Sequence, residues 1–292
     1  MTVAADLSRT VFGRTFQNPI LLASGTAGFG RELAGVMELE RLGGMVTKAV
    51  SVEPRAGNRP PRVAEFRGGM LNSVGLANPG LAAVREHHLP WLAANLRRAQ
   101  VLVNVVGFTV EEYAQAVAAL DGAAGVAGFE LNLSCPNTSA GGIEFGASAD
   151  CVQGIVALCR TRTRLPLVAK LSPVLPDIAG MAVVARDAGA DGITVVNTLP
   201  GLLHADAGMP RLGNGNGGVS GPALLPIGVF AAARVVERTG GMSVIGCGGV
   251  RSAEDVRQYL RVGASLVAMG TAALADPRLP ERIVRALERS DG

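Results

Sequence analysis

VLVNVVGFTVEEYAQAVAALDGAAGVAGFELNL, residues 101–133, reads as one complete strand–helix–strand unit. Residues 101–106 form a short Val/Leu run, and 129–133 form a second one. Between them Thr109 stands three residues ahead of Glu112, the spacing of a capping box, so the sequence predicts a helix over 110–120. The same alternation continues in both directions. Strand candidates fall at 20–23, 45–49, 101–106, 129–133, 167–171, 192–196, 243–246 and 265–269, and Ser252 is the expected N-cap of a helix over 253–262. Apolar strands alternating with amphipathic helices specify a parallel sheet. Eight units in 292 residues leave about 36 residues each, the size that a (β/α)8 TIM barrel needs. The expected architecture is therefore an α/β barrel, a single domain over 1–292 with no internal sequence repeat.

Composition agrees with this and narrows the function. The chain is 48% hydrophobic, 17% charged and 4% aromatic, with 39 Gly and 16 Pro, which excludes disorder. Its net charge is +3 with the basic residues scattered, so a nucleic-acid partner is not expected. Asp6 and Arg9 interrupt the place where a signal peptide would have its apolar core, and charged, Gly or Pro residues break every longer apolar stretch, so neither export nor a membrane span is expected. Cys135, Cys151, Cys159 and Cys247 form no Cys-x-x-Cys pair, which argues against disulfides, zinc or an iron–sulfur cluster and for a reducing, cytoplasmic setting.

In a TIM barrel the substrate meets residues at the C-terminal ends of the strands. Those positions here are Ser24 to Gly28, Lys48, Asn104, Asn132 followed by Ser134-Cys-Pro-Asn137, Lys170, Asn197-Thr198, Gly248-Gly249 and Gly270-Thr271. Glycines after strands seven and eight, with Gly221 ahead of a helix expected over 222–234, fit a phosphate site built from bare backbone N–H groups. Asn72, Asn104, Asn132 and Asn197 each carry donors and an acceptor in one plane and suit a flat ring such as a pyrimidine. Lys48 and Lys170 are open to three roles: a Schiff base, balance of an anionic ligand, or stabilisation of charge on a flavin. Cys135, in a polar turn just past a strand, is a candidate base or nucleophile, while Cys151 and Cys159 read as small buried hydrophobes. Of the histidines, His87 and His88 lie in a connection and His204 alone falls in a mouth loop. Two long stretches, 51–79 and 199–221, follow strands and are expected over the mouth. The Gly/Asn tract 213–218 reads as a mobile lid, and neither stretch has the apolar content for a core of its own.

Six motifs together carry a family resemblance: Asn132-Leu-Ser-Cys-Pro-Asn137, Gly69-Met-Leu-Asn-Ser-Val-Gly-Leu-Ala-Asn-Pro-Gly80, Ala169-Lys-Leu-Ser-Pro173, Val196-Asn-Thr198, Gly217-Gly-Val-Ser-Gly-Pro222 and Gly246-Cys-Gly-Gly-Val250. The chain resembles class 1 dihydroorotate dehydrogenases over about residues 12–276, and its 72–80 motif is most like class 1B. The resemblance implies an FMN-containing barrel of pyrimidine biosynthesis that oxidises (S)-dihydroorotate to orotate. It implies Cys135 as the base that takes the C5 proton while hydride passes from C6 to flavin N5. It places FMN on Ser24, Lys48, Ala49, Asn104, Asn132, Lys170, Val196, Gly221, Gly248, Gly249, Gly270 and Thr271. It places the substrate on Lys48, Asn72, Ser73, Val74, Gly75, Leu76, Asn132, Asn197 and Thr198, with no metal.

Class 1B further implies a homodimer core in a heterotetramer with an electron-transfer subunit carrying FAD and a [2Fe–2S] cluster, and NAD+ as acceptor. The alternatives are a fumarate-linked class 1A enzyme or another flavin-dependent pyrimidine reductase. One departure is the loop 199–217, where His204-Ala-Asp-Ala-Gly-Met-Pro210 and the Gly/Asn tract replace a more basic stretch.

Overall fold

The computed structural model describes residues 6–133, 136, 137, 143–206 and 208–290. Eight parallel strands close on themselves: β1 (Ile20–Leu22), β2 (Gly44–Val46), β3 (Gln100–Val105), β4 (Val126–Asn132), β5 (Leu167–Leu171), β6 (Gly192–Val195), β7 (Ser243–Cys247) and β8 (Leu266–Met269). Each pairs with its successor, and β8 pairs with β1 through Ala268 opposite Leu21. All eight strand segments expected from the sequence take part, with ends differing by a few residues.

Helices α1 (Leu89–Asn95), α2 (Val110–Leu120), α3 (Ala149–Arg160), α4 (Ile178–Asp187), α5 (Leu224–Thr239), α6 (Ala253–Arg261), α7 (Thr271–Ala275) and α8 (Leu279–Ser290) surround the barrel. Their starts follow capping chemistry. Thr109, Ser148, Asp177 and Ser252 each accept a backbone N–H from the third residue of the helix they open, which satisfies a donor the helix itself cannot pair. The helix expected over 222–234 is α5, which starts two residues later and runs on to Thr239 before Gly240 ends it in the left-handed conformation.

The period-two alternation of a strand sorts the barrel into two faces. Outward residues such as Val103, Val105, Phe129, Leu131, Ile193 and Val244 pack with Tyr113, Val117, Val152 and Ile155 of the helical layer. Inward residues Leu21, Val46, Leu102, Val168, Ile245 and Leu266 form a separate apolar layer. A hairpin of Arg9–Val11 with Arg14–Phe16 closes the barrel beneath that layer, presenting Val11, Phe12 and Phe16 to it.

The two long stretches differ from their expected form. Val63–Phe66, Gly69–Asn72, Leu199–Gly201 and Gly217–Ser220 join in one four-stranded antiparallel sheet over the mouth. Ala64, Leu71 and Leu212 are its buried core, flanked by Phe66, Leu203 and Val219. Neither stretch alone could supply that cluster, but paired they do. The Gly/Asn tract is therefore tied down rather than a loose lid: Gly213 N donates to Pro61 O at 2.8 Å, and Arg59 Nε donates to Gly213 O at 2.8 Å.

Phe16 is 1% exposed and closes the barrel floor, so Phe16→Ala leaves a cavity that the rigid strands cannot collapse into. The expected cost is ~3–5 kcal/mol, read as a drop in the urea midpoint at unchanged slope. A loss below ~1 kcal/mol would show that the floor is not what holds the barrel closed.

Candidate active site

One step of two residues up the strands, the barrel interior turns from apolar to polar. Lys48 follows Val46, Asn104 follows Leu102 and Lys170 follows Val168, while Glu130 stands opposite Asn104 and Thr194 opposite Lys170 in the strand registers. Glu130, 1% exposed, collects three donors. Asn104 Nδ2 donates to its Oε1 at 2.7 Å, Thr194 Oγ1 donates to its Oε2 at 2.8 Å, and Lys170 Nζ lies 3.8 Å from Oε1. Burial by itself would push the Lys170 ammonium down, but the adjoining Glu130 carboxylate outweighs it and holds the group above the ordinary lysine range. Cys247, beside Lys170, is pushed up by burial and so stays a neutral thiol.

Above this layer lies a cavity of about 1130 Å³ at the C-terminal ends of the strands. The structure brings nearly all the sequence-predicted site residues to it. Ser24, Lys48, Ala49, Asn132, Lys170 and Val196 line its floor and walls, Gly221, Gly248, Gly249, Gly270 and Thr271 line one end, and Asn72 to Leu76 with Asn197 and Thr198 line the rest. Asn104 is the exception: it is fully buried in the layer below, where its Nδ2 binds Glu130. The four asparagines thus do not converge as equals. Asn72 donates to Gly218 O at 3.2 Å, Asn197 Oδ1 accepts from Thr198 N at 2.8 Å, and the Oδ1 atoms of Asn104 and Asn132 are buried with no partner among the described residues. The orphaned Oδ1 of Asn132, which lines the cavity, marks a place for a ligand with a donor of its own.

Other expectations resolve differently. Ser134 and Cys135 lie outside the described residues. His204 is exposed, bridges Pro210 and does not line the cavity, while His88 stacks on Phe29 at 4.2 Å, so no described histidine serves the site. Cys151 and Cys159 lie on α3, and burial pushes Cys159 up to about 12, in keeping with a structural role.

The glycine end is shaped by a residue that sequence reasoning passed over. Tyr259 of α6 is fully buried, lies against Gly246 of β7 where any Cβ would collide with its ring, and donates from its hydroxyl to Gly248 O at 2.9 Å. Gly249 follows at φ +76°, and a Cβ there would strike the backbone nitrogen of Leu225. Beside this turn the first-turn amides of α7 have no intrahelical partner, Ala273 and Leu274 being the first to bond back to Gly270. Glu130, Thr194, Cys247 and the Arg55 guanidinium, 4.2 Å over the Phe108 ring at the cavity wall, were likewise missed. Glu130 had a legible signal, since it is the one charge inside an otherwise apolar strand of residues 126–131. Tyr259 had none, because its role depends on glycines far off in sequence.

This geometry has known counterparts. The family model described as dihydroorotate dehydrogenase matches residues 6–290. The catalytic subunit of dihydroorotate dehydrogenase B (NAD(+)) from Geobacter sp. strain M21 is 42% identical over 288 residues, covering 97% of this chain and 92% of that protein. The protein of the same description from Geobacillus kaustophilus is 44% identical over 276 residues, covering 94% and 87%. A crystal structure of DHODH from Eimeria tenella in complex with ferulenol superposes with a TM-score of 0.82 at 22% identity, covering 97% of this chain and 83% of that one, a likeness of fold. A closed barrel, a polar layer at its C-terminal mouth and a family match over residues 6–290 together make this chain a member of the dihydroorotate dehydrogenase family.

Proposed function

We propose that this chain oxidises dihydroorotate to orotate with FMN as its bound cofactor and passes the electrons to NAD+ through a separate subunit. The observation that carries the reading is the two-ended cavity: a glycine-edged end suited to a phosphate, and an amide- and lysine-lined end suited to flat, anionic ring systems. The residues fit a flavin mononucleotide. Gly248, Gly249, Gly270 and Thr271 offer backbone N–H groups to its phosphate, Lys170 offers a buried cation, and the unpartnered Oδ1 of Asn132 offers an acceptor. Ser24, Lys48, Ala49, Val196 and Gly221 complete that set.

Oxidation removes a proton from C5 and a hydride from C6 of the substrate, leaving a C5=C6 double bond. Bound flavin supplies the acceptor for the hydride. Lys48, Asn72 to Leu76, Asn132, Asn197 and Thr198 hold the ring and its carboxylate, the lysine by charge and the amides by paired hydrogen bonds. Cys135 takes the C5 proton. A thiol has an ordinary pKa of ~8.5 and is mostly protonated at neutral pH, so the role requires its thiolate form.

The relatives quoted above are described as catalytic subunits, and the present sequence holds no Cys-x-x-Cys pair. We therefore assign onward transfer to an FAD and [2Fe–2S] subunit in a heterotetramer built on a homodimer of this chain. Among the described residues no helix is long and apolar enough to cross a membrane, and we place the assembly in the cytoplasm with residues 1–292 acting as one unit.

Purified protein reconstituted with FMN is expected to be yellow and to bleach anaerobically on addition of dihydroorotate. Colourless protein would remove the flavin from the reading, and yellow protein that dihydroorotate leaves unbleached would remove the substrate. Cys135→Ser is expected to slow bleaching by ~10²–10⁴-fold with FMN still bound, measured by stopped flow; an unchanged rate would take Cys135 out of the mechanism. Tyr259→Phe deprives Gly248 O of its donor and is expected to weaken FMN binding by about tenfold, corresponding to ~1.4 kcal/mol, in a fluorescence titration.

A further inference from the structure

Glu130 is the least exposed acid in the mouth layer, and the mechanism above gives it no task. It touches no cavity: its carboxylate is 1% exposed and sits behind Lys170, whose side chain is 8% exposed and lines the cavity wall. Every group within reach of it is a donor, and each donor comes from a different strand, Asn104 from β3, Lys170 from β5 and Thr194 from β6. The carboxylate fixes Lys170, the side chain of the three that lines the cavity.

We propose that Glu130 is a positioning residue of the flavin site: its carboxylate anchors and balances the Lys170 ammonium at the cavity wall, with Asn104 and Thr194 holding the carboxylate in place from β3 and β6. The inference rests on the flavin reading of the cavity. Asn104 must give its amino group to a carboxylate, because the reverse orientation would set oxygen against oxygen. That choice leaves Oδ1 as the buried acceptor without a partner. Lys170 is held cationic by the same carboxylate against the opposing effect of burial. Cys247 is the other titratable group against it, and burial pushes that thiol up, toward its neutral form, which leaves Glu130 as the main counter-charge. A cation fixed there stabilises the reduced flavin, which carries negative charge, more than the oxidised one. Glu130 therefore acts on the cofactor's redox balance from one layer away.

The test compares how tightly reduced and oxidised FMN bind, from midpoint potentials of bound and free flavin together with the dissociation constant of oxidised FMN. The proteins are the wild type, Glu130→Gln, Lys170→Met and the double variant, each reconstituted with FMN. Glu130→Gln removes the carboxylate that anchors Lys170 and opposes the effect of burial on its charge, so it is expected to lower the affinity for reduced relative to oxidised FMN by at least about tenfold, or ~30 mV for a two-electron couple. Because Glu130 acts through Lys170, the double variant is expected to match Lys170→Met within about threefold. A ratio that Glu130→Gln leaves unchanged or shifts toward the reduced form, or a double variant in which the two effects add, overturns the proposal. If Glu130→Gln does not fold, the double variant, which leaves no single buried charge, carries the test against Lys170→Met alone. A merely structural Glu130 would move the melting temperature and leave this ratio where it was. Wild-type protein that binds no FMN would instead overturn the flavin reading itself.

Discussion

Strict alternation along eight short strands governs nearly everything in this molecule. Because the barrel is closed, each strand has one face toward the helices and one toward the axis, and a single residue sets the character of each level. Leu21, Val46, Leu102, Val168, Ile245 and Leu266 fill the axis at one level and give the fold its inner core. Two residues later the same strands present Lys48, Asn104, Lys170 and Cys247. The active layer is thus built directly on the core, and its side chains gain rigidity from strands that cannot shift register without inverting both faces.

That dependence explains what was legible in the sequence. The strands could be read because parallel strands buried on both faces show as apolar runs, and the polar residues ending them could be read because they break those runs. Asn132, Lys170, Asn197 and the Gly248-Gly249 pair were visible on that ground, and all line the cavity. Asn104 was visible too, but its level was not. One register step separates a residue that touches a ligand from one that holds its neighbour, and register depends on pairing with β4, where the ladder shifts between Val101 and Leu102. The sheet over the mouth was illegible for a related reason. Its core, Ala64, Leu71 and Leu212, is assembled from stretches separated by more than a hundred residues, and neither shows an apolar pattern on its own.

The cysteines illustrate how position decides chemistry. Cys159, on α3 between helix and barrel, is raised to about 12 by burial and serves as a small hydrophobe. Cys247 lies at the cavity floor against an ammonium that would favour its thiolate, yet burial and the nearby Glu130 carboxylate keep it protonated. The same ion pair that supplies the site's cation therefore leaves that sulfur unreactive. On the flavin reading this is an advantage, since a second thiolate against the ring would oppose the negative charge that reduction brings.

The sheet over the mouth is tied to the cavity lining through its own backbone. Asn72 stands in register with Gly218, donates to its carbonyl at 3.2 Å, and lines the cavity. Arg59 and Pro61 clasp Gly213 from the other long stretch. Displacing Gly217–Ser220 relative to Gly69–Asn72 breaks ladder bonds that orient Asn72. Thr271, at the glycine-edged end, donates its hydroxyl to Ser220 Oγ at 2.7 Å, which ties the same strand to the start of α7. The covering strand Gly217–Ser220 thus contacts the lining at both ends of the cavity, Asn72 at one and Thr271 at the other.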